Sequence, residues 1–375
     1  HTCKETPLHY FDEHCYQMVS GYRRVIEAEE AWKGKKMLIT KIYTTDEIEK
    51  AANELRLGEL IAFPTETVYG LGADATNEQA VKRVYLAKGR PSDNPLIVTV
   101  SSRKMVEEYV ESLPERAVKL MDAFWPGPLT MILKIKEGAL SKAVTGGLET
   151  AAFRMPQNKA TLKLIESAGV PIVGPSANSS GKPSPTTAQH VYHDLEGRIA
   201  GILDDGPTQV GVESTIIDLS SEHPVILRPG AVTVEQLEEV LKETVLSDKH
   251  KVGVKEVPKA PGMKYKHYAP DAQVLIVKAG DWDKALLWRK NKQERVGVMA
   301  FNEVLKNADL PKKLSYSLGD TVFDASRRLF AGLRYFDSEE KVDFILCAGV
   351  KEAGLGEAYM NRLKKSAGNV FFDKI

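Results

Sequence analysis

Long apolar runs are missing from this sequence. None reaches ~18 residues, so no membrane-spanning helix is expected. Residues 1–36 also lack the apolar stretch of a secretory signal. Cysteine is scarce. Cys3, Cys15 and Cys347 form no C-x-x-C pair and no zinc spacing, which excludes a disulfide framework and points to a reducing, cytoplasmic compartment. An excess of either charge is absent too. The formal net charge is +0, whereas a dedicated nucleic-acid binder is normally basic, so any RNA contact must be local or weak. The P-loop spacing, the G-x-S-x-G elbow and the H-E-x-x-H zinc helix do not occur. The histidines are scattered, so no metal held by protein side chains is expected.

What is present is globular material. Hydrophobic residues make up 43% and charged residues 27% of 375, so a core can form. That length suits two or three domains of ~100–200 residues each. Well-patterned sequence begins at Met37. We therefore expect either a natural start there or a peripheral extension over 1–36, in which Cys3, His9, His14 and Cys15 form an incidental cluster rather than a metal set.

From Met37 onward, short apolar runs read as buried strands at 59–63, 95–100, 129–135, 151–155, 170–174, 199–204, 214–219 and 224–228. Helical segments lie between several of them. TTDEIEKAANELRLG reads as a helix with a threonine cap and Gly58 at its end, and PTTAQHVYHDLEG repeats that grammar. The expected fold of 37–245 is α/β on a twisted, mixed sheet. Residues 246–272 are polar and proline-bearing and read as a linker. Strands at 273–277, 295–301 and 342–350, separated by helices, predict a smaller Rossmann-like parallel sheet over 273–375, without a G-x-G-x-x-G for a dinucleotide.

Three loops carry polar groups after strands or helices. FPTETVYGLG (63–72) packs Thr65, Glu66, Thr67 and Tyr69 between glycines, either as a ligand loop or as a turn that satisfies its own backbone. In LAKGRPSDNPLIV (86–98), Lys88 and Arg90 flank Gly89; they either complement a helix C-terminus or clamp phosphates. GPSANSSGKPSPTT (174–187) offers Ser176, Asn178, Ser179, Ser180 and Ser184, either as a phosphate cradle or as a turn into the next helix. Arg154, Ser214 and Arg228 stand at strand ends, where each could equally be a capping or surface residue. No activated nucleophile is evident, so positioning and electrostatics are the expected catalytic means.

The ordered set FPTETVYGLG, KGRPSDNPL, FWPGPLT, GPSAN, GVESTI, LRPG, PGMKYKHYAP and GLGEAYMNRL resembles the long form of the threonylcarbamoyl-AMP synthase family, a YrdC-like domain followed by a C-terminal domain. The resemblance runs from about Ile42 to the C-terminus. It implies an enzyme that makes threonylcarbamoyl-AMP and pyrophosphate from L-threonine, bicarbonate or CO₂, and ATP with magnesium, with no tightly bound organic cofactor. The product would pass to a tRNA threonylcarbamoyl transferase for modification of an adenosine next to the anticodon. The family's K-x-R and S-x-N motifs fall on Lys88, Arg90, Ser176 and Asn178, its catalytic set. With Asn94, Thr150, Ser184, Arg228 and Tyr268 these would bind ATP. Thr67, Thr99, Arg154, Gly174 and Ser214 would hold L-threonine, with Arg154 on its carboxylate. The family often carries histidine at the position of Thr99, where a hydroxyl can still donate one hydrogen bond. Tyr265, His267 and Tyr268 would belong to a lid over the catalytic mouth. Rival readings are a carbamoyl transferase using carbamoyl phosphate, an RNA-binding protein of the same fold without this activity, and a nucleotide-binding regulator.

Overall fold

The computed structural model describes residues 38–92, 94–247 and 267–375. The incidental cluster at 1–36, Tyr265 and most of the 246–272 segment lie outside the described residues. Among those described, no helix is long and apolar enough to cross a membrane.

Eleven short strands form the first sheet. They are β1 (Lys41–Tyr43), β2 (Ile61–Phe63), β3 (Gly70–Asp74), β4 (Ile97–Thr99), β5 (Leu129–Lys134), β6 (Thr150–Arg154), β7 (Ile172–Val173), β8 (Gly201–Leu203), β9 (Thr215–Asp218), β10 (Val225–Arg228) and β11 (Leu246–Ser247). Their order is β1-β8-β2-β3-β7-β4-β6-β5-β9-β10-β11, and parallel and antiparallel pairs are interspersed. The sheet is mixed, as the run of closely spaced strands predicts. Alternation along β2 fills both faces. Ala62 packs into the larger core, while Ile61 and Phe63 pack into a second one under the helices Ile48–Arg56 and Lys159–Ala168.

The second sheet holds β12 (Gln273–Val277), β13 (Val296–Ala300), β14 (Ser315–Ser317) and β15 (Phe344–Ala348), all parallel in the order β12-β15-β13-β14. Its long helices are Trp282–Lys290, Val322–Arg334 and Leu355–Ala367. This is the predicted Rossmann-like arrangement. β14 escaped the sequence because SYS is short and only half-buried.

Three local readings need correction. Residues 246–272 read as a linker, yet Leu246 and Ser247 form β11, which pairs in parallel with β10 at the edge of the first sheet. Gly70–Asp74 was expected to be part of a loop, yet it pairs with β2 and β7. A Cβ at Gly70 would meet the Phe63 ring at 2.5 Å, so the glycine that suggests a turn is what lets this strand lie on that ring. The helix Ile48–Arg56 has no threonine cap. The Thr44 N–H and hydroxyl instead both donate to Glu47 Oε1, at 3.2 and 3.3 Å. The second helix behaves as read: the Thr187 hydroxyl accepts from the His190 N–H at 3.1 Å.

Candidate active site

Strand register builds the site. Thr99 pairs with Arg154 across β4 and β6, Arg154 with Thr130 across β6 and β5, and Leu129 with Thr215 across β5 and β9. The ends of four strands therefore bring Thr99, Arg154, Thr130 and Ser214 into one row. Gly174 joins from β7, its N–H donating to the Ile97 carbonyl at 2.9 Å. A Cβ on Gly174 would lie 2.6 Å from Thr99 Oγ1 and 2.8 Å from the Phe63 ring, so only glycine fits. These residues open on one cleft.

Of the sequence candidates, Thr67, Arg90, Thr99, Arg154, Gly174, Ser176, Ser214, Arg228, His267 and Tyr268 line that cleft. Three guanidinium groups face it, and Glu213 is the acid in its wall. Arg154 is buried against the Glu66 carboxylate, and its Nη1 donates to Thr67 Oγ1 at 3.0 Å. Burial, together with Arg228, pushes the Arg154 pKa down to about 9, which still leaves it charged at neutral pH. Arg228 donates to the Ser214 carbonyl at 3.0 Å and to its hydroxyl at 3.2 Å. The Ser214 hydroxyl also bonds Thr130 at 2.8 Å.

Tyr268 stacks on Phe330 of the second unit with 5.2 Å between centroids. It sits at φ +60°, a left-handed conformation that costs a bulky side chain ~1–3 kcal/mol. Packing on Phe330 and a bond to Arg228 hold it there. Burial first, then Arg90 and Lys365, push the His267 pKa down to about 3. It is neutral near pH 7, with one ring nitrogen still able to donate and the other to accept.

Other candidates lie behind the lining. Lys88 ends the helix Glu78–Lys88, and Gly89 follows at φ +65° as its left-handed cap. The ammonium is buried and donates to the carbonyls of Ser176 and, at 2.8 Å, Asn178. Burial and Arg90 push its pKa well down. Lys88 thus grips the 174–187 loop instead of lining the cleft. The Ser184 hydroxyl donates to Glu213 Oε1 at 2.5 Å. Asn94 and Asn178 are buried, and neither amide oxygen has a hydrogen-bond partner among the described residues. Thr150 opens β6 at the end away from Arg154, ~13 Å along the strand, and is not brought to the cleft.

Sequence reading missed Phe63, Val68, Gly70, Ile97, Pro175 and Glu213 in the lining, whereas Thr65 of the candidate ligand loop is there. Glu213 was within reach, because it directly precedes Ser214 in GVESTI, but a single acid before a strand carries no mark of burial.

Comparison with known proteins gives the family. Residues 53–230 match the family described as Telomere recombination, and residues 232–368 match the one described as Threonylcarbamoyl-AMP synthase, C-terminal domain. A threonylcarbamoyl-AMP synthase of Pyrococcus abyssi is 48% identical over 86% of this chain and 94% of its own length. The chain belongs to the threonylcarbamoyl-AMP synthase family. Relatives with that name also occur in Bacillus subtilis, at 48% identity over 86% of this chain and 93% of theirs, and in Schizosaccharomyces pombe, at 37% over 95% and 96%. The crystal structure of P. abyssi Sua5 complexed with L-threonine superposes with a TM-score of 0.81 at 43% identity, covering 89% of this chain and 99% of that one.

Proposed function

We propose that the cleft condenses L-threonine, bicarbonate or CO₂, and ATP into threonylcarbamoyl-AMP, releasing pyrophosphate. The observation that carries this is the convergence of Arg90, Arg154 and Arg228 on one buried cleft. The reaction brings together a carboxylate, a carbamate and a triphosphate, which repel one another in water, and a preorganised cationic wall offsets that repulsion.

L-threonine sits beside Arg154, whose fork takes the carboxylate, with Thr67, Thr99, Ser214 and the Gly174 backbone around it. Its amine and CO₂ give a carbamate. A carbamate oxygen then attacks the α-phosphorus of ATP, the bond from that phosphorus to the bridging oxygen breaks, and pyrophosphate leaves. Arg90 and Arg228 face the phosphates, beside Ser176. Lys88 fixes the loop carrying Ser176 and Asn178 so that these atoms stay in line. The amide oxygens of Asn94 and Asn178 are acceptors suited to the N–H and O–H groups of a nucleoside. Thr150 contributes only to a part of ATP lying beyond the cleft.

ATP arrives with magnesium as its metal complex. The carboxylates of Glu66 and Glu213 are already paired with Arg154 and Arg362, so the phosphates rather than side chains hold that ion. We assign catalysis to residues 37–245 and a separate core to 273–375, joined by 246–272. The adenylate is an activated acyl donor, so its consumer is a transferase that presents a nucleophile, here an adenosine of tRNA.

The test is pyrophosphate release from ATP with and without L-threonine and bicarbonate, followed by mass spectrometry of the product. Release that needs both, with the mass of threonylcarbamoyl-AMP, is the expected result. Release without threonine would point to another acceptor. A folded protein that binds ATP and releases nothing would overturn the reading.

A further inference from the structure

One arginine of the second unit reaches into the wall of the cleft. Arg362 stands on the helix Leu355–Ala367, inside GLGEAYMNRL, and is 0% exposed. Its Nε donates to Glu213 Oε2 at 2.9 Å and its Nη2 to the Glu213 carbonyl at 2.8 Å. Its Nη1 donates to the Pro229 carbonyl and, at 3.2 Å, to Asn361 Oδ1. The guanidinium thus grips the residue just before Ser214 and the residue just after Arg228.

Those two neighbours are the pair that faces substrate. Ser214 directly precedes β9, Arg228 ends β10, and the register between these strands shifts between Ile226 and Arg228. Ladder bonds alone therefore do not fix the spacing of the two strand ends; the fork of Arg362 spans them. Its charge matters as well. Glu213 also accepts from the neutral Ser184 hydroxyl; its other cationic neighbours are Arg228 and Lys365, and of these Arg228 is the one that lines the cleft. Without Arg362, the buried carboxylate would draw Arg228 toward itself and out of the cleft, because an unpaired buried charge captures whatever cation it can reach.

We propose that Arg362 is a positioning residue for the reaction: it neutralises Glu213 and ties the two strand ends together, so that Arg228 and Ser214 stay aimed at substrate. The proposal rests on the reading of the cleft given above.

A second arginine of the same unit provides the comparison. Arg334 is also buried and makes a two-pronged pair with Asp194, at 3.0 and 2.8 Å, plus a bond to the Pro183 carbonyl at 2.7 Å. Asp194 does not line the cleft. Both arginines fasten the units together, but only Arg362 touches a cleft residue.

The experiment compares Arg362→Met, Arg362→Lys, Arg334→Met and the double variant Arg362→Met with Glu213→Gln. Steady-state pyrophosphate release gives kcat and KM for ATP, calorimetry gives L-threonine and ATP binding, and melting gives stability. Arg362→Met should lose on the order of 30-fold or more in kcat/KM for ATP. The double variant should recover most of that loss, because removing the carboxylate's charge frees Arg228. Arg334→Met should lower the melting temperature while kcat/KM stays within about threefold. Equal activity losses for Arg362→Met and Arg334→Met, or a double variant no better than the single, would reduce Arg362 to a docking contact. If Arg362→Met does not fold, Arg362→Lys, which keeps the charge but not the fork, decides: wild-type kcat/KM would overturn the proposal. If the wild type itself needs no threonine, the reaction assigned above fails; ATP affinity of the same variants, with loss in the single and recovery in the double, still tests the clasp.

Discussion

The two sheets solve the burial of polar groups in opposite ways. In the first, short strands end inside the molecule, and Thr99, Arg154, Ser214 and Arg228 are buried at or next to those ends, with Thr67 in the loop between β2 and β3. In the second, the longer strands are nearly all apolar, and the buried polar side chains on its helices are Ser326, Arg334, Arg362 and Ser366. Two of those four point away from their own core and into the first unit. Dry parallel sheets gain stability from continuous apolar strands. The mixed sheet gives up that continuity, and so provides strand ends where donors can face a ligand. Its companion supplies firm packing: Val68 and Val212, beside the cleft loops, belong to the second core.

The comparison breaks most visibly at Arg154. Arg154→Ala leaves Glu66 buried without its cation, which should cost ~3–5 kcal/mol of stability and raise the KM for threonine far more than that for ATP. Melting and initial rates check both; the reverse pattern of KM values would move Arg154 to the nucleotide. The mirror experiment lies in the dry core. Leu346→Ala should destabilise by ~2–5 kcal/mol, read by denaturant unfolding, and leave both KM values unchanged in the folded protein. A large KM change there would mean that the second unit shapes the cleft through its whole core. Arg90→Ala should lose roughly 1.5–3 kcal/mol for each charge-assisted bond to phosphate, seen in kcat/KM for ATP; an unchanged value removes Arg90 from the mechanism.

The seam between the units should respond to acid. Burial pushes the Glu213 and Asp194 carboxyls up, but the paired guanidiniums of Arg362 and Arg334 outweigh it, and both sit below their ordinary values of 4.5 and 3.8. The stability they add is present above those ordinary values and is lost as pH falls through the depressed ones. Melting curves between pH 7 and pH 2 should show that loss, and Glu213→Gln should shrink it. The smallest effects are at helix caps. Thr233 and Thr321 each close a capping box, one in each unit, so alanine at either should cost ~1 kcal/mol with activity intact. Unequal costs would show that one unit unfolds before the other.

Much of the fold could be read from local pattern. Apolar runs located most strands between Ile61–Phe63 and Phe344–Ala348, because an apolar strand must be buried wherever it lies; Leu246–Ser247, read as the start of the linker, and Ser315–Ser317 carry no such run. Gly70–Asp74 was hidden, since its glycines carry no strand preference and make sense only against the Phe63 ring. Strand-end positions likewise exposed Arg154, Ser214 and Arg228, and motif order pointed to the family. Lys88 illustrates the limit. Its place at a helix end was legible, but its use as a clamp on the 174–187 loop depends on carbonyls nearly ninety residues away in sequence. Glu213 and Arg362 are a stronger case, because each alone is an ordinary charged residue, and 149 positions separate them. What the sequence determined by itself was therefore whatever short-range periodicity and polarity enforce: most of the strands, most helix ends, the two kinds of sheet and the polar loops. Which charges are buried, and which partner each one meets, was decided only by the tertiary structure, because the cost of burying a charge depends on a neighbour that the chain brings from far away.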